Sequence, residues 1–261
     1  MAKPQTKKNI NIVAAKEPAV KPVALNLKSI EALTDSQHEF FEAFDKDYNV
    51  ILSGSAGSGK TFIALAKALG AVIKSKFKKR LVIVRSVVPT RDMGFLPGTQ
   101  GEKEAAYILP YVSIVNDLFN DGKAWDTLVK KGAIRFITTS YIRGITLNNS
   151  IIVVDECQNC SGHELDSVIT RIGDNSRIIF CGDYYQSDFW RESEKDGILK
   201  FMKIIDRLNY FKHIEFTWED CVRSGIVRDY LMAKEIQEKQ DREQNDGQKQ
   251  EIGRQFITEA Q

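Results

Sequence analysis

The sequence predicts an α/β protein built as a three-layer sandwich, with helices on both faces of a mainly parallel sheet. Six short apolar runs are continuous rather than alternating, which is typical of strands buried on both faces. Helical patterns separate most of these runs, as the connections of a parallel sheet require. A chain of 261 residues with 43% hydrophobic residues is long enough for one sizeable core.

The predicted elements follow one another along the chain in a regular order. The six strand candidates, in that order, are NVILS, LVIVR, IRFIT, IIVVD, RIIFC and HIEFT. A first helix is expected in TDSQHEFFEAF, ahead of the first strand. Further helices are expected over residues 61–74, 102–119, 162–172, 195–208 and 224–234.

Composition shifts divide the chain into one domain and two tails. Residues 1–28 carry six lysines against one glutamate and contain three prolines, which predicts a flexible basic N-terminal tail. Residues 29–233 form the predicted domain. Residues 234–261 are polar and Gln-rich, and extend the last helix or form a second tail. A solvated tail is the simpler interpretation of both ends, and a phosphate-backbone contact is the alternative for the basic one.

Bulk properties exclude some classes of protein. The formal net charge is only +2, so any basic site must be local. No apolar stretch is long enough to span a membrane and the first residues lack a hydrophobic signal core, which predicts a cytoplasmic protein without membrane contact. The CQNC sequence at 157–160 has the spacing of half a zinc site, but four cysteines without a second such pair favour ordinary packing.

The sequence GSAGSGKT matches the phosphate-binding loop, leaves a predicted strand and opens a predicted helix. Its glycines let backbone N–H groups surround phosphate oxygens, and the helix N-terminus adds positive charge. Lys60 is expected to reach the outer phosphates, and the Thr61 hydroxyl to bind Mg²⁺. The predicted ligand is therefore a nucleotide with Mg²⁺, held by Gly54, Ser55, Ala56, Gly57, Ser58, Gly59, Lys60 and Thr61.

Acidic side chains follow two further strands. IIVVDEC brings Asp155 and Glu156 to the carboxyl end of a strand, where ligands of open α/β sheets bind. Asp155 is expected to serve the metal, by direct coordination or through one of its other ligands, and Glu156 is expected to orient water for hydrolysis of the terminal phosphate. In GDYYQ, Asp183 and Gln186 are expected beside this pair if the two strands are neighbours, where Gln186 is expected to sense or hold the terminal phosphate and its water. A capping turn is the alternative for GDYYQ.

The motifs TTSYIRGITLNNSIIVVDECQN, TRIG, GDYYQ and GFLPG together resemble the PhoH family. That family is a P-loop group related to the first motor lobe of superfamily 1 helicases, and the resemblance over residues 30–232 implies a RecA-like P-loop NTPase core. The resemblance also implies that Gln37 contacts adenine. The alternative is that Gln37 is an ordinary polar residue of the first helix. Ser86 stands where the family has proline after Arg85, and Ile145 stands where it often has arginine.

The resemblance also bears on the last segment, EDCVRSGIVRDY, which is similar to a family motif with Cys221 and Ser224 substituted. A lone motor lobe lacks the second-lobe arginines of helicases, so Arg223 or Arg228 is expected to serve a neighbouring subunit as an arginine finger. A homo-hexameric ring would supply that contact. Surface ion pairs are the alternative for both arginines.

Nucleic-acid contacts are expected from two segments. KSKFKKR at 74–80 is basic, but complementing a helix C-terminus is its simpler interpretation. Residues 86–101 include Arg91, Phe95 and Gln100, which suit a backbone contact and a stacked base; a packed turn is the alternative.

The resulting prediction is an Mg²⁺-dependent ATPase, helicase-like by resemblance, that couples hydrolysis to remodelling of RNA or single-stranded DNA. The resemblance adds a link to phosphate starvation. The alternative is a nucleotide-gated regulatory or binding module with slow ATPase activity and a protein partner. A small-molecule kinase is disfavoured because transfer to an organic acceptor does not need Glu156.

Overall fold

A computed structural model describes residues 25–54, 57–86, 100–183, 192–234, 236–237 and 240. These residues contain six strands and seven α-helices. The strands are β1 (Asn49–Gly54), β2 (Arg80–Arg85), β3 (Ile134–Thr138), β4 (Ser150–Asp155), β5 (Arg177–Cys181) and β6 (Phe211–Phe216). The helices are α1 (Asp35–Asp45), α2 (Lys60–Lys74), α3 (Gln100–Phe119), α4 (Ala124–Lys130), α5 (Gly162–Ile169), α6 (Glu192–Ile205) and α7 (225–234).

The six strands form one sheet in the order β3-β2-β4-β5-β1-β6, and every described pair is parallel. Strand β5 therefore separates β1, which ends in the phosphate-binding loop, from β4, which ends in Asp155. Because parallel strands point the same way, the last residues of β1, β4 and β5 meet at one edge of the sheet. We call this edge the carboxyl edge and the opposite one the amino edge.

Two apolar clusters fill the space on either side of the sheet. The first packs α1, α2, α3 and α4 against one face, with Phe40, Leu69 and Leu128 fully buried. The second packs α5 and α6 against the other face, where the rings of Phe180 and Phe201 meet edge to face at 5.3 Å between centroids. This arrangement confirms the predicted three-layer α/β sandwich with a mainly parallel sheet.

The structure differs from the predicted elements in places. Helix α4 was not expected, because its seven residues are too few to display a helical period, although Ala124, Trp125 and Leu128 are buried. Helix α5 ends at Ile169 rather than at 172, since Ile172 pairs with Leu147 in an isolated parallel bridge. Helix α6 starts and ends three residues earlier than expected, and β6 begins two residues earlier.

All four cysteines are buried, and none of them forms a disulfide. Among the described residues, no group of three or more His, Cys, Asp or Glu side chains is placed to hold a metal. None of the helices in the described part of the chain is both long and apolar enough to cross a membrane.

Candidate active site

The phosphate-binding loop joins β1 to α2 at the carboxyl edge. Gly57 and Gly59 have φ angles of 78° and 80°, in the left-handed region that glycine tolerates best. Gly54 has no room for a side chain, because a Cβ would lie 1.9 Å from the Phe216 carbonyl oxygen. Helix α2 has no side-chain cap at its N-terminus, so its first N–H groups suit an anion. Ser55 and Ala56 lie outside the described residues.

The Lys60 ammonium lies across this loop. Its Nζ donates to the Gly54 carbonyl oxygen at 2.7 Å and to the Ser58 hydroxyl at 3.2 Å. Burial lowers the pKa of Lys60, while the carboxylates of Asp183 and Glu156 oppose that shift. A buried lysine held among carboxylates and carbonyls is well placed for a polyanionic ligand, which would satisfy the ammonium more fully than the loop does.

Asp155 ends β4 and is 5% exposed. Its two oxygens have different partners: the Thr61 hydroxyl donates to Oδ1 at 2.7 Å, and the Tyr111 hydroxyl donates to Oδ2 at 2.8 Å. Burial raises the pKa of Asp155 and repulsion from Glu156 adds to it, whereas the bonds from Thr61 and Tyr111 lower it. A carboxylate beside a hydroxyl is the hard oxygen set that Mg²⁺ takes together with phosphate oxygens and water, so these residues fit the metal.

Tyr111 is a site residue that the sequence did not indicate. It lies in the middle of α3, is fully buried, and packs its ring on Phe136 at 5.8 Å between centroids. Burial lowers the pKa of the neighbouring Arg85, but the Tyr111 hydroxyl and the carboxylates of Asp155 and Glu156 outweigh it and raise that pKa. Tyr111 thus connects α3 to Asp155, the carboxylate that the sequence predicts as a metal ligand.

Replacing Tyr111 by Phe is expected to cost about 1–3 kcal/mol of unfolding free energy, because a buried carboxylate oxygen loses its donor. Urea denaturation measures this loss. The same variant should need more Mg²⁺ for tight binding of a fluorescent ATP analogue, with binding in EDTA unchanged. Tyr107→Phe is the matched control, since no hydrogen bond joins the Tyr107 hydroxyl to a described residue. Equal behaviour of the two variants would contradict a role for Tyr111 in holding Asp155.

Glu156 is held by a neighbour that the sequence analysis also missed. The Gln158 side-chain amide donates to Glu156 Oε2 at 2.6 Å and accepts the Asp183 backbone N–H at 3.1 Å. Gly182 leaves space for this bridge, because a Cβ there would lie 2.5 Å from Gln158 Oε1. Glu156 itself has a left-handed φ of 51°. Strands β4 and β5 are neighbours, as the expected proximity of Asp183 to the acidic pair requires. Gln186 lies outside the described residues.

The segment after β6 packs back onto the phosphate-binding loop. The Val222 backbone N–H donates to the Gly57 carbonyl oxygen at 3.4 Å. A Cβ on Gly57 would lie 3.2 Å from Arg223 Cγ and 3.4 Å from Leu231 Cδ1, so Arg223 lies against the loop of its own chain. Arg228 instead lies over the ring of Trp218, 5.6 Å from its centroid.

A cavity of about 510 Å³ opens where these elements meet, a size suited to a nucleotide. It brings together eight of the residues predicted from the sequence: Gly57, Gly59, Lys60, Thr61, Asp155, Glu156, Asp183 and Arg223. Gln158 and Phe62 also line it, whereas Arg228 is not among the described residues that do.

Gln37 lies beside the loop and is 2% exposed. Its side-chain amide donates to the Ser58 carbonyl oxygen at 3.2 Å and accepts the Leu33 backbone N–H at 2.9 Å. These bonds hold α1 against the loop, so a contact with adenine stays a prediction.

The region that matches a known protein family coincides with the folded domain. The model of a family described as PhoH-like protein matches residues 29–235. This chain belongs to the PhoH-like family. The match covers every strand of the sheet and the whole of the cavity, and the RecA-like fold expected of the family is confirmed.

Curated PhoH-like proteins show similarity over the same region. A PhoH-like protein of Bacillus subtilis is 30% identical over 210 residues, which are 80% of this chain and 65% of that protein. Protein PhoH of Escherichia coli is 31% identical over 206 residues, or 78% of this chain and 58% of its own length. The chain therefore spans less than two thirds of each of these relatives.

Solved structures give more distant likenesses. The large terminase of a thermophilic bacteriophage is 12% identical with a TM-score of 0.43, covering 75% of this chain and 48% of that one. Unliganded Pif1 from Bacteroides is 14% identical with a TM-score of 0.35, covering 75% and 43%.

The remaining residues of the PhoH-like motifs are placed in part. Arg85 lies over the Tyr107 ring at 5.5 Å from its centroid, and Arg143 and Gly144 are exposed. The GFLPG motif lies outside the described residues, as do Arg91 and Phe95, and of Gln100 only the helical backbone is described. A nucleic-acid contact by residues 86–101 therefore stays a prediction.

Proposed function

We propose that this PhoH-like protein hydrolyses ATP in an Mg²⁺-dependent reaction at the cavity of the carboxyl edge. The hydrogen bond from Thr61 to Asp155 carries the proposal. It joins the first turn of α2 to the end of β4, and places the acid pair at the mouth of the loop. In a phosphate-binding site this pairing serves a metal, and the adjacent Glu156 then faces the terminal phosphate.

Each group has a defined task in this proposal. The N–H groups at the start of α2 bind the phosphates, and Lys60 exchanges its bonds to the loop for one to an outer phosphate. Thr61 and Asp155 hold Mg²⁺, which when bound neutralises charge on the phosphates. Glu156 accepts a proton from the attacking water and orients it.

The bridge from Gln158 fixes the direction in which Glu156 points. Without it, a carboxylate on a turn would sample several rotamers and lose the geometry that proton abstraction requires. Because Gln158 also bonds to the backbone of Asp183, a shift of the turn after β5 would be transmitted to Glu156. This gives the site a connection by which the state of the phosphate could control the turn.

We further propose that hydrolysis is coupled to work on RNA or single-stranded DNA. The support is the family resemblance, together with α3, whose first two residues are the last two of the 86–101 segment and which contacts Asp155 through Tyr111. A polymer that moved the start of α3 would thus act on the metal-binding carboxylate.

Phosphate release from ATP tests the proposal directly. The full chain should turn over with Mg²⁺, stop in EDTA, and accelerate when single-stranded RNA or DNA is added. The Lys60→Ala variant should be inactive, and it is a control for contaminating ATPases. Absence of turnover with intact ATP binding would overturn the enzyme assignment. A rate that neither polymer changes would leave the ATPase and favour a regulatory module with a protein partner.

A further inference from the structure

Seven cations gather at the amino edge of the sheet, on the far side from the ATP cavity. One ends α2 and four follow it, while a sixth ends α4 and the seventh follows it. We call the set the basic edge: Lys74, Lys76, Lys78, Lys79, Arg80, Lys130 and Lys131. Neither of the two short segments contains a carboxylate, although the whole chain has a formal net charge of only +2.

Direct contact joins the two segments into one surface. The Lys131 ammonium lies 5.4 Å from the centroid of the Phe77 ring, so the ends of α2 and α4 are adjacent. The cations are exposed except for Lys79, which is half-buried. No ion pair joins any of the seven to a described residue. Among the described residues, no carboxylate pairs with the positive charge of this surface.

Helix capping explains only part of this charge. The C-terminus of a helix is equivalent to about half a negative charge, so two helix ends balance about one of the seven cations. A second ordinary role for surface cations is to keep the outermost strand of a sheet from pairing with another chain. The exposed Arg135 of the outermost strand β3 already has this role, so it does not explain the remaining cations. The excess costs mutual repulsion that an anionic partner would relieve.

An exposed aromatic ring lies within the basic edge. Phe77 is 41% exposed and has a φ of 62°, next to Lys76 with a φ of 55°. A single left-handed residue is common where a helix ends, and Lys76 fills that position because its N–H bonds to the Ile73 carbonyl oxygen. A second left-handed residue that is neither Gly nor Asn is unfavourable, yet it leaves the ring at the surface among lysines.

We propose that the basic edge binds single-stranded nucleic acid. Lysines contact the phosphates, and the Phe77 ring receives a base, which is the combination that sequence-tolerant single-strand sites use. The inference concerns the same kind of polymer as the proposed function, RNA or single-stranded DNA. It adds a binding surface that is separated from the ATP cavity by the length of the β-strands. Such a surface holds the nucleic acid while the site at the carboxyl edge binds ATP, hydrolyses it and releases the products.

Fluorescence anisotropy of a labelled single-stranded RNA, titrated with the full chain at several salt concentrations, tests this. The triple variant Lys76→Gln, Lys78→Gln, Lys131→Gln should bind about tenfold or more weakly at low salt, and its plot of log K against log salt should be shallower by about 2. Phe77→Ala should bind about fivefold or more weakly without a change of that slope.

The matched control is Lys200→Gln, Lys203→Gln, Arg207→Gln, which removes three exposed cations on and just after α6, on the opposite face. It should bind RNA as the wild type does, and basal ATPase activity of all variants should stay unchanged. Equal RNA binding by the two triple variants would overturn the inference and leave the ATPase proposal intact. Competition by polyglutamate as strong as by RNA would also overturn it, and would assign the edge to acidic protein. Absence of basal phosphate release by the wild type would instead contradict the proposed ATPase.

Discussion

Glu156→Gln is expected to slow phosphate release by about 10²–10⁴-fold while ATP still binds. The amide keeps the size of the carboxylate but cannot accept the proton of the attacking water. Binding should survive, because the proposed function assigns the phosphate contacts to α2, Lys60 and the metal rather than to Glu156. Single-turnover phosphate release measures the loss, and a fluorescent ATP analogue measures the affinity.

The control for this prediction is Glu39→Gln, which makes the same change on the exposed surface of α1. That variant should match the wild type in both measurements. Turnover by Glu156→Gln within a few fold of the wild-type rate would remove Glu156 from the reaction and transfer the role of orienting water to another group at the cavity.

Arg223→Ala is expected to lower the rate by about 10³–10⁵-fold, the range seen when an arginine that neutralises the terminal phosphate is removed. Arg223 is the one cavity-lining arginine among the described residues, and its stem packs on Gly57. Arg228→Ala is the matched control, because Arg228 lies further along the same segment, over Trp218 rather than against the loop. It should lose less than about tenfold. A larger loss for Arg228 than for Arg223 would contradict this assignment.

Mixing inactive variants decides whether Arg223 acts within its own chain. The contact with Gly57 places it at the loop of the same polypeptide, so we expect no recovery when Arg223→Ala is combined with Lys60→Ala. Recovery of phosphate release in the mixture, together with a mass by light scattering that exceeds the monomer, would favour the ring in which a neighbour supplies the arginine.

Much of the site could be predicted because its residues follow strands. Asp155 ends β4, Asp183 lies two residues beyond β5, and Thr61 lies in the first turn of the helix that follows β1. A parallel sheet necessarily brings such strand ends to one edge. Tyr111 could not be found in this way, since an aromatic residue on an amphipathic helix looks like any other core residue until the fold places its hydroxyl. Gln158 could not be identified from CQNC either, because that spacing indicates only a possible cysteine site. Its side-chain amide gains a role only when the fold brings the turns after β4 and β5 together.

The sheet order also shapes how the protein folds during synthesis. Strands β2, β3 and β4 pair among themselves and follow each other in the sequence, so they can assemble early. Strand β1 is made first, yet both of its partners come late: Ile178 at the start of β5 bonds to Asn49 across 129 residues, and β6 follows still later. Its apolar residues therefore wait unpaired on the nascent chain, a state in which strands tend to aggregate. ATP is expected to bind only after β6 and the segment carrying Arg223 have left the ribosome. Nucleotide binding would therefore mark the nascent chains in which translation of this domain is complete.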